Sequence, residues 1–149
     1  MSRGDSYGGY RTRLVEALQS KGIHDLGVLR AVSVVPRHRF VPDSVKHRAY
    51  EDSALPIGGG QTISQPWVQA RYIEVLGLKG HEKVLEVGTG SGYQTALLAE
   101  LADRVFSVVA SRRVTRVSNC LERSPIGMTR RPPMASCSRS GRGTSGDAA

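Results

Sequence analysis

Three glycines at alternate positions, Gly88, Gly90 and Gly92, follow a short apolar run over residues 83–87 and precede a stretch with helical spacing. Glycine lets a backbone turn sharply and lets a ligand approach it closely. A helix that opens at such a turn presents unpaired N–H groups to whatever lies in front of it. The pattern is Gly-x-Gly-x-Gly, so the dinucleotide fingerprint, whose third glycine comes one position later, does not fit. Walker A does not fit either, because no lysine follows the last glycine. Glu86, at the end of the apolar run, is placed either to bond a ligand or to order the turn.

A second chemical tract lies upstream. Residues 56–66 read Pro56-Ile57-Gly58-Gly59-Gly60-Gln61-Thr62-Ile63-Ser64-Gln65-Pro66, with Tyr50 and Asp52 before them and Trp67 after. It offers hydroxyls and an amide rather than an acid–base pair. Ser64 has the position of a helix cap, with Pro66 inside the first turn. Cys120 and Cys137 are the only cysteines, and no Cys/His cluster surrounds them, so no metal site or disulfide framework is expected.

Taken together, Pro56-Ile57-Gly58-x-Gly60-Gln61-Thr62-Ile63-Ser64-Gln65-Pro66, Leu85-Glu86-x-Gly88-Thr89-Gly90-Ser91-Gly92-Tyr93-Gln94 and Val35-Pro36-Arg37-His38-Arg39-Phe40-Val41-Pro42 resemble the protein-L-isoaspartate (D-aspartate) O-methyltransferase family, over roughly residues 10–108. The resemblance implies a class I methyltransferase with a Rossmann-like α/β fold and S-adenosyl-L-methionine as cofactor. It implies methyl transfer to the free carboxylate of an isoaspartyl or D-aspartyl residue in a damaged protein, a repair reaction. By match to Thr-Ile-Ser, Ser64 is the active-site serine, orienting substrate and cofactor by hydrogen bonds. Gln61, Thr62, Ile63 and Ser64 match the loop over the cofactor, and Gln69 matches a further contact. Glu86, Gly88, Thr89, Gly90 and Gly92 match the cofactor turn. The remaining readings are structural: Asp52 stabilises the 56–60 loop, His38 has a packing role, Tyr93 and Trp67 pack, and Arg37 and Arg39 form a solvated face.

The elements that must hold these residues follow from periodicity. Residues 1–9 read as disordered. A helix over 10–21 carries Tyr10, Leu14, Ala17 and Leu18 on one face. A second helix, capped by Asp25, runs to about Val35 and stops at Pro36. Residues 37–42 read as extended and 49–61 as loop. A helix over 66–76 places Val68, Tyr72, Val75 and Leu76 on its apolar face, with Gly77 as its C-cap. Residues 83–87 and 104–109 read as strands flanking a helix over 91–102, with Leu97, Leu98 and Leu101 facing inward. This divides the chain into a helical and substrate-loop region, 10–82, and a first β-α-β unit of the cofactor domain, 83–109.

The sequence changes character at about residue 109. Before it, 13 basic residues face 11 acidic ones; from 110 on, 8 arginines face 2 acids, with no lysine and no aromatic. Family members carry an acid after the second strand to hold the cofactor ribose, and a later Gly-Asp-Gly. Here the tract reads Val105-Phe106-Ser107-Val108-Val109-Ala110, and Gly146-Asp147-Ala148 lacks a strand before it. The simultaneous loss of motif, periodicity and lysine implies that the chain leaves the family's reading frame near residue 108 and is truncated as a methyltransferase. The 110–149 tail then reads as foreign to the family: Val114, Val117 and Leu121 recur at helical spacing among arginines, and from Ser124 onward the tail reads as disordered. The expected fold is incomplete, with uncovered apolar faces, marginal stability and weak cofactor binding.

Two further functions fit the same residues. One is a class I methyltransferase with another acceptor. The other is an inactive fragment whose arginine tail binds nucleic acid nonspecifically; the tail lacks aromatics for base stacking, which disfavours it. The remaining expectations are a cytoplasmic monomer with isoaspartyl proteins as partners. No apolar stretch is long enough for a membrane.

Overall fold

The computed structural model describes residues 6–109 and 113–117. The chain opens with two helices, α1 (Gly8–Ser20) and α2 (Leu26–Val34), followed by two short 3-10 segments, Arg37–Phe40 and Asp43–Arg48. A small hairpin of β1 (Leu55–Gly58) and β2 (Gln61–Ile63) leads into α3 (Pro66–Leu76). A second sheet follows, built from β3 (Lys83–Val87), α4 (Tyr93–Leu101), β4 (Arg104–Val109) and β5 (Arg113–Val117). Its order is β3-β4-β5, with β3 and β4 parallel and β5 antiparallel to β4. The parallel β3-α4-β4 unit is the first part of a Rossmann-like α/β sheet, as the sequence implied.

Local chemistry explains the boundaries. The Asp25 carboxylate accepts the Val28 N–H at 3.0 Å and caps α2. Such a cap contributes about 1 kcal/mol. Gly77 closes α3 in the left-handed region, at φ 58°, where a side chain would be strained. Leu14 and Leu18 of α1, Val28, Leu29 and Val32 of α2, Ala70 and Ile73 of α3, Leu97 and Leu98 of α4 and Val105 of β4 form one buried cluster. The helices thus pack together on one face of the β3-β4 sheet.

Several expectations are corrected. Helix α1 begins at Gly8, inside the segment read as disordered. Tyr10 lies outside the buried face of α1, 55 % exposed. Residues 37–40 coil into a 3-10 turn rather than extending, with the Arg39 N–H donating to the Pro36 carbonyl at 2.9 Å. Within 49–61 the three consecutive glycines hide a hairpin: Gly58, Gly59 and Gly60 all take positive φ and return the chain so that Leu55 pairs with Ile63. Helix α4 begins at Tyr93, two residues later than expected.

The face of α3 is also different. Pro66, Gln69, Ala70 and Ile73 are buried, whereas Tyr72, Val75 and Leu76 are exposed. Tertiary packing selected the side carrying a small alanine and a polar group with a buried partner, not the side with the most apolar area. Finally, residues 113–117, where the valines have helical spacing, form the strand β5. Val105 pairs with Val117 and Val109 with Arg113. The β-branched run Val114-Thr115 suits a strand, and the valine spacing that looked helical was too short to decide. The rest of the expected tail lies outside the described residues.

Candidate functional site

The glycine turn is built as its sequence suggested. Gly88, Gly90 and Gly92 have φ of 94°, 54° and 83°, a region in which L side chains are strained. The Gly88 N–H donates to the Val108 carbonyl at 2.8 Å, tying the turn to the end of β4. The Gly92 N–H donates to the Thr89 carbonyl at 2.8 Å, and Gly92 then caps α4 with no side-chain hydrogen bond. A side chain at Gly88 would meet no atom within 4 Å, so the space before the turn is open.

Beneath the turn lies a buried polar network. Glu86 is 6 % exposed and accepts from Thr95 Oγ1 and, at 2.5 Å, from Ser107 Oγ. Thr89 Oγ1 and Ser107 Oγ are 2.5 Å apart. The single hydroxyl proton of Ser107 is engaged in its hydrogen bond to the carboxylate, so Thr89 donates to Ser107. Glu86 therefore holds the first residues of the turn through Ser107 and the first turn of α4 through Thr95.

The second tract converges on the first. A cleft of about 410 Å³ runs between them, lined by Arg39, Phe40, Ile57, Gln61, Gly90 and Ser91 among others. Gln61, at the start of β2, and Gly90, in the turn, share it. Thr62 and Ser64 are exposed on β2 and at the junction with α3, whereas Ile63 is 2 % exposed and part of the core. Gln69 is also buried, and its Oε1 accepts from Arg37. The structure thus brings Gln61 to the glycine turn and sends Ile63 and Gln69 into the interior.

Ser64 does not cap α3. Gln65 is the N-cap residue, and the Trp67 N–H donates to Asp52 Oδ1 at 2.8 Å. Asp52, fifteen positions upstream, acts as a cap in space. Its other oxygen accepts from Gln65 Nε2 and pairs with Lys21. Asp52 was expected to steady residues 56–60; it instead fixes the start of α3, just beyond Ser64. Burial would raise its pKa, but the Lys21 pair and the hydrogen bonds from Trp67 and Gln65 outweigh that and hold the carboxyl below its usual range.

The basic segment 37–40 holds residues that sequence reading missed. Arg39 is exposed and lines the cleft. Arg37, read as part of a solvated face, has no exposed surface. Its Nη1 donates to Gln69 Oε1 at 2.9 Å and its Nη2 to the Ser64 carbonyl at 2.8 Å, and the guanidinium lies 4.8 Å from the centre of the Tyr93 ring. Burial lowers its pKa, partly countered by Tyr93 and by the Asp52 charge. Tyr93 is itself buried, and desolvation pushes its hydroxyl up to about 12. His38 has the packing role expected, stacking on Tyr7 at 4.2 Å, and its Nδ1 lies 2.8 Å from the Tyr50 hydroxyl. Nothing in the periodicity of 37–40 signals which arginine turns inward; only the proline bracket, Pro36 and Pro42, marks the segment as fixed.

Among the described residues no group of three or more His, Cys, Asp or Glu is placed to hold a metal. No helix among them is long and apolar enough to cross a membrane.

A family profile described as Protein-L-isoaspartate(D-aspartate) O-methyltransferase (PCMT) matches residues 10–134. Protein-L-isoaspartate O-methyltransferase 1 of Syntrophobacter fumaroxidans is 59 % identical over 99 residues, which are 66 % of this chain and 46 % of that protein. The Yersinia pestis protein-L-isoaspartate O-methyltransferase is 57 % identical over 95 residues, 64 % of this chain and 46 % of that protein. The chain thus spans about half the length of the curated relatives it matches. Among solved structures, a protein-L-isoaspartate O-methyltransferase superposes with a TM-score of 0.61 at 32 % identity, over 68 % of this chain and 34 % of that one. A Plasmodium falciparum structure, described as a protein-L-isoaspartate O-methyltransferase in complex with S-adenosyl-L-homocysteine, gives 0.55 at 28 % identity, over 69 % and 50 %.

Proposed function

The chain belongs to the protein-L-isoaspartate(D-aspartate) O-methyltransferase family, and from that premise we propose that its cleft binds S-adenosyl-L-methionine and directs methyl transfer to the free carboxylate of an isoaspartyl residue in a damaged protein. The observation that carries the proposal is the convergence of Gln61 and Gly90 on one cleft. The two motifs are separated by a helix and a strand in the sequence and meet where cofactor and acceptor would have to meet.

The residues present fit the part of the cofactor that would lie along the turn. Three glycines at positive φ, open space before Gly88 and the first amides of α4 form a cradle for the amino-acid end of such a molecule, whose carboxylate suits a helix N-terminus. β4 ends in Val109, so that position supplies no acid for ribose hydroxyls. Affinity would therefore be low. S-Adenosyl-L-methionine, when bound, supplies a methyl group on a sulfonium whose sulfur takes up the bonding electron pair as the acceptor carboxylate captures the methyl.

What remains for the protein is alignment. A carboxylic acid with a pKa of about 4 is already ionised at neutral pH, so no general base is needed. The cleft must bring the carboxylate in line with the methyl group and strip part of its water. The exposed guanidinium of Arg39 draws an anionic acceptor into the cleft. The Ser64 hydroxyl, exposed where β2 gives way to α3, orients the acceptor or the cofactor by hydrogen bonding. Thr62 and Gln61 contribute from the same edge, and Glu86 acts by ordering the turn. A cytoplasmic location and a monomeric state belong to the same proposal and rest on the sequence.

The test is transfer of labelled methyl from S-adenosyl-L-methionine to an isoaspartyl peptide, read as base-labile ester, against the same peptide with normal aspartate. Ester on the isoaspartyl peptide alone supports the proposal. Equal labelling of both peptides, labelling of RNA instead, or no label at all overturns it for this chain.

A further inference from the structure

Arg37 is a buried cation that ties together three elements of the site, yet stability alone does not account for it. Its side chain has no exposed surface, and among the described residues no carboxylate lies within ion-pair distance. Its two bonded acceptors are neutral, the Ser64 carbonyl and Gln69 Oε1, and its Nε is buried without a partner. Burying a charge under those terms is costly, and an apolar side chain of similar volume commonly serves a core as well or better. What an apolar side chain could not do is hold Ser64 and Gln69 at fixed distances while stacking on Tyr93.

These three contacts come from different parts of the site. Ser64 is the junction of β2 and α3, Gln69 belongs to α3, and Tyr93 is the first residue of α4, directly after Gly92. Phe40, on the same 3-10 turn as Arg37, packs against the Tyr93 ring with centroids 5.5 Å apart. It also lies 3.9 Å from where a side chain at Gly92 would begin. The turn 37–40 therefore braces the hydroxyl-bearing junction against the glycine turn. Arginine suits this role because its rigid fork donates in two directions at once.

We propose that Arg37 is a positioning residue that sets the distance between the Ser64 junction and the glycine turn. Its meaning for catalysis rests on the methyltransferase reading above; its mechanical role does not. The experiment compares amide hydrogen exchange in the full chain and in Arg37→Met, together with methyl transfer to the isoaspartyl peptide. In Arg37→Met, exchange over residues 61–65 and 90–93 should rise about tenfold, as expected for loss of hydrogen bonds from a charged donor. Exchange around Leu14, Leu18 and Val32 should stay unchanged. Methyl transfer should lose about 100-fold in kcat with little change in KM, the signature of misalignment rather than lost binding. Arg37→Lys, which keeps the charge but not the fork, should fold and show the same local loosening to a lesser degree; it decides the question if the Met variant does not fold.

A uniform rise in exchange, no rise over 61–65, or a wild-type chain unprotected there would each overturn the proposal. Unchanged kcat beside a loosened junction would overturn its catalytic half. A wild-type chain without methyl transfer refutes the function instead, and the exchange pattern still decides the role of Arg37.

Discussion

Two carboxylates organise the site without being placed to do chemistry themselves. Glu86 accepts hydrogen bonds from Thr95 and Ser107, and Ser107 in turn fixes Thr89. Both hydroxyls bond the same carboxylate oxygen, so Glu86→Gln keeps the shape and both contacts to its amide oxygen but removes the charge that strengthens them. Hydrogen bonds to a buried charged group are worth about 1.5–3 kcal/mol each. The variant should melt measurably lower and lose binding of S-adenosyl-L-homocysteine by titration calorimetry. Equal melting of the two proteins would mean that the network contributes nothing. Asp52 makes a pH prediction. Its folded pKa lies below the unfolded value of about 3.9. Its contribution is therefore fully present above about pH 4 and is lost as pH falls through the lower folded value. Asp52→Asn can still accept the Trp67 N–H but cannot titrate. Acid melts of the two proteins should diverge above pH 4 and converge below the folded pKa of Asp52; parallel curves would remove Asp52 from the acid response.

Elements whose structure depends on local chemistry were legible in the sequence, and those settled by tertiary contact were not. The Asp25 cap, the Pro36 stop, the Gly77 close and the β3-turn-α4-β4 unit follow from residue types within a few positions. The cap of α3 did not, because its acceptor, Asp52, comes from 15 residues away. Nor did the burial of Arg37, since a basic residue beside His38 and Arg39 reads as solvated until its acceptors are placed. The site motifs were legible as strings, but which of their side chains face the cleft was decided by the hairpin, which turns Ile63 inward. The glycine turn gives a prediction at this scale. Gly92 holds φ 83° with its nearest foreign atom, from Phe40, 3.9 Å from an added carbon, so Gly92→Ala strains the backbone without a clash. A non-glycine residue there costs about 1–3 kcal/mol. Stability should fall by that order in a urea titration and cofactor binding should weaken further. Unaltered stability would show that the turn relaxes to another conformation.

At the scale of the whole molecule, the described residues cover the sheet on one face only. Glu86, Val105 and Ser107 point into the helical layer and are buried, whereas Leu85 and Val87 are 64 % and 79 % exposed on the opposite face. Phe106 and Val108 stand beside them in register on β4 and are only partly buried. Among the described residues β3 pairs with β4 alone, so its outer edge also presents unpaired backbone groups. A bare apolar face next to an open edge is the arrangement that natural sheets avoid, because it templates association with another chain. Surface substitutions away from special features change stability by no more than about 0.5 kcal/mol. Leu85→Lys with Val87→Thr should therefore leave the melting temperature nearly unchanged while raising the soluble fraction and slowing the growth of light scattering with concentration. If this double variant aggregates like the original chain, the β3-β4 face is not the surface that limits solubility, and the exposed Tyr72, Val75 and Leu76 of α3 become the next residues to change.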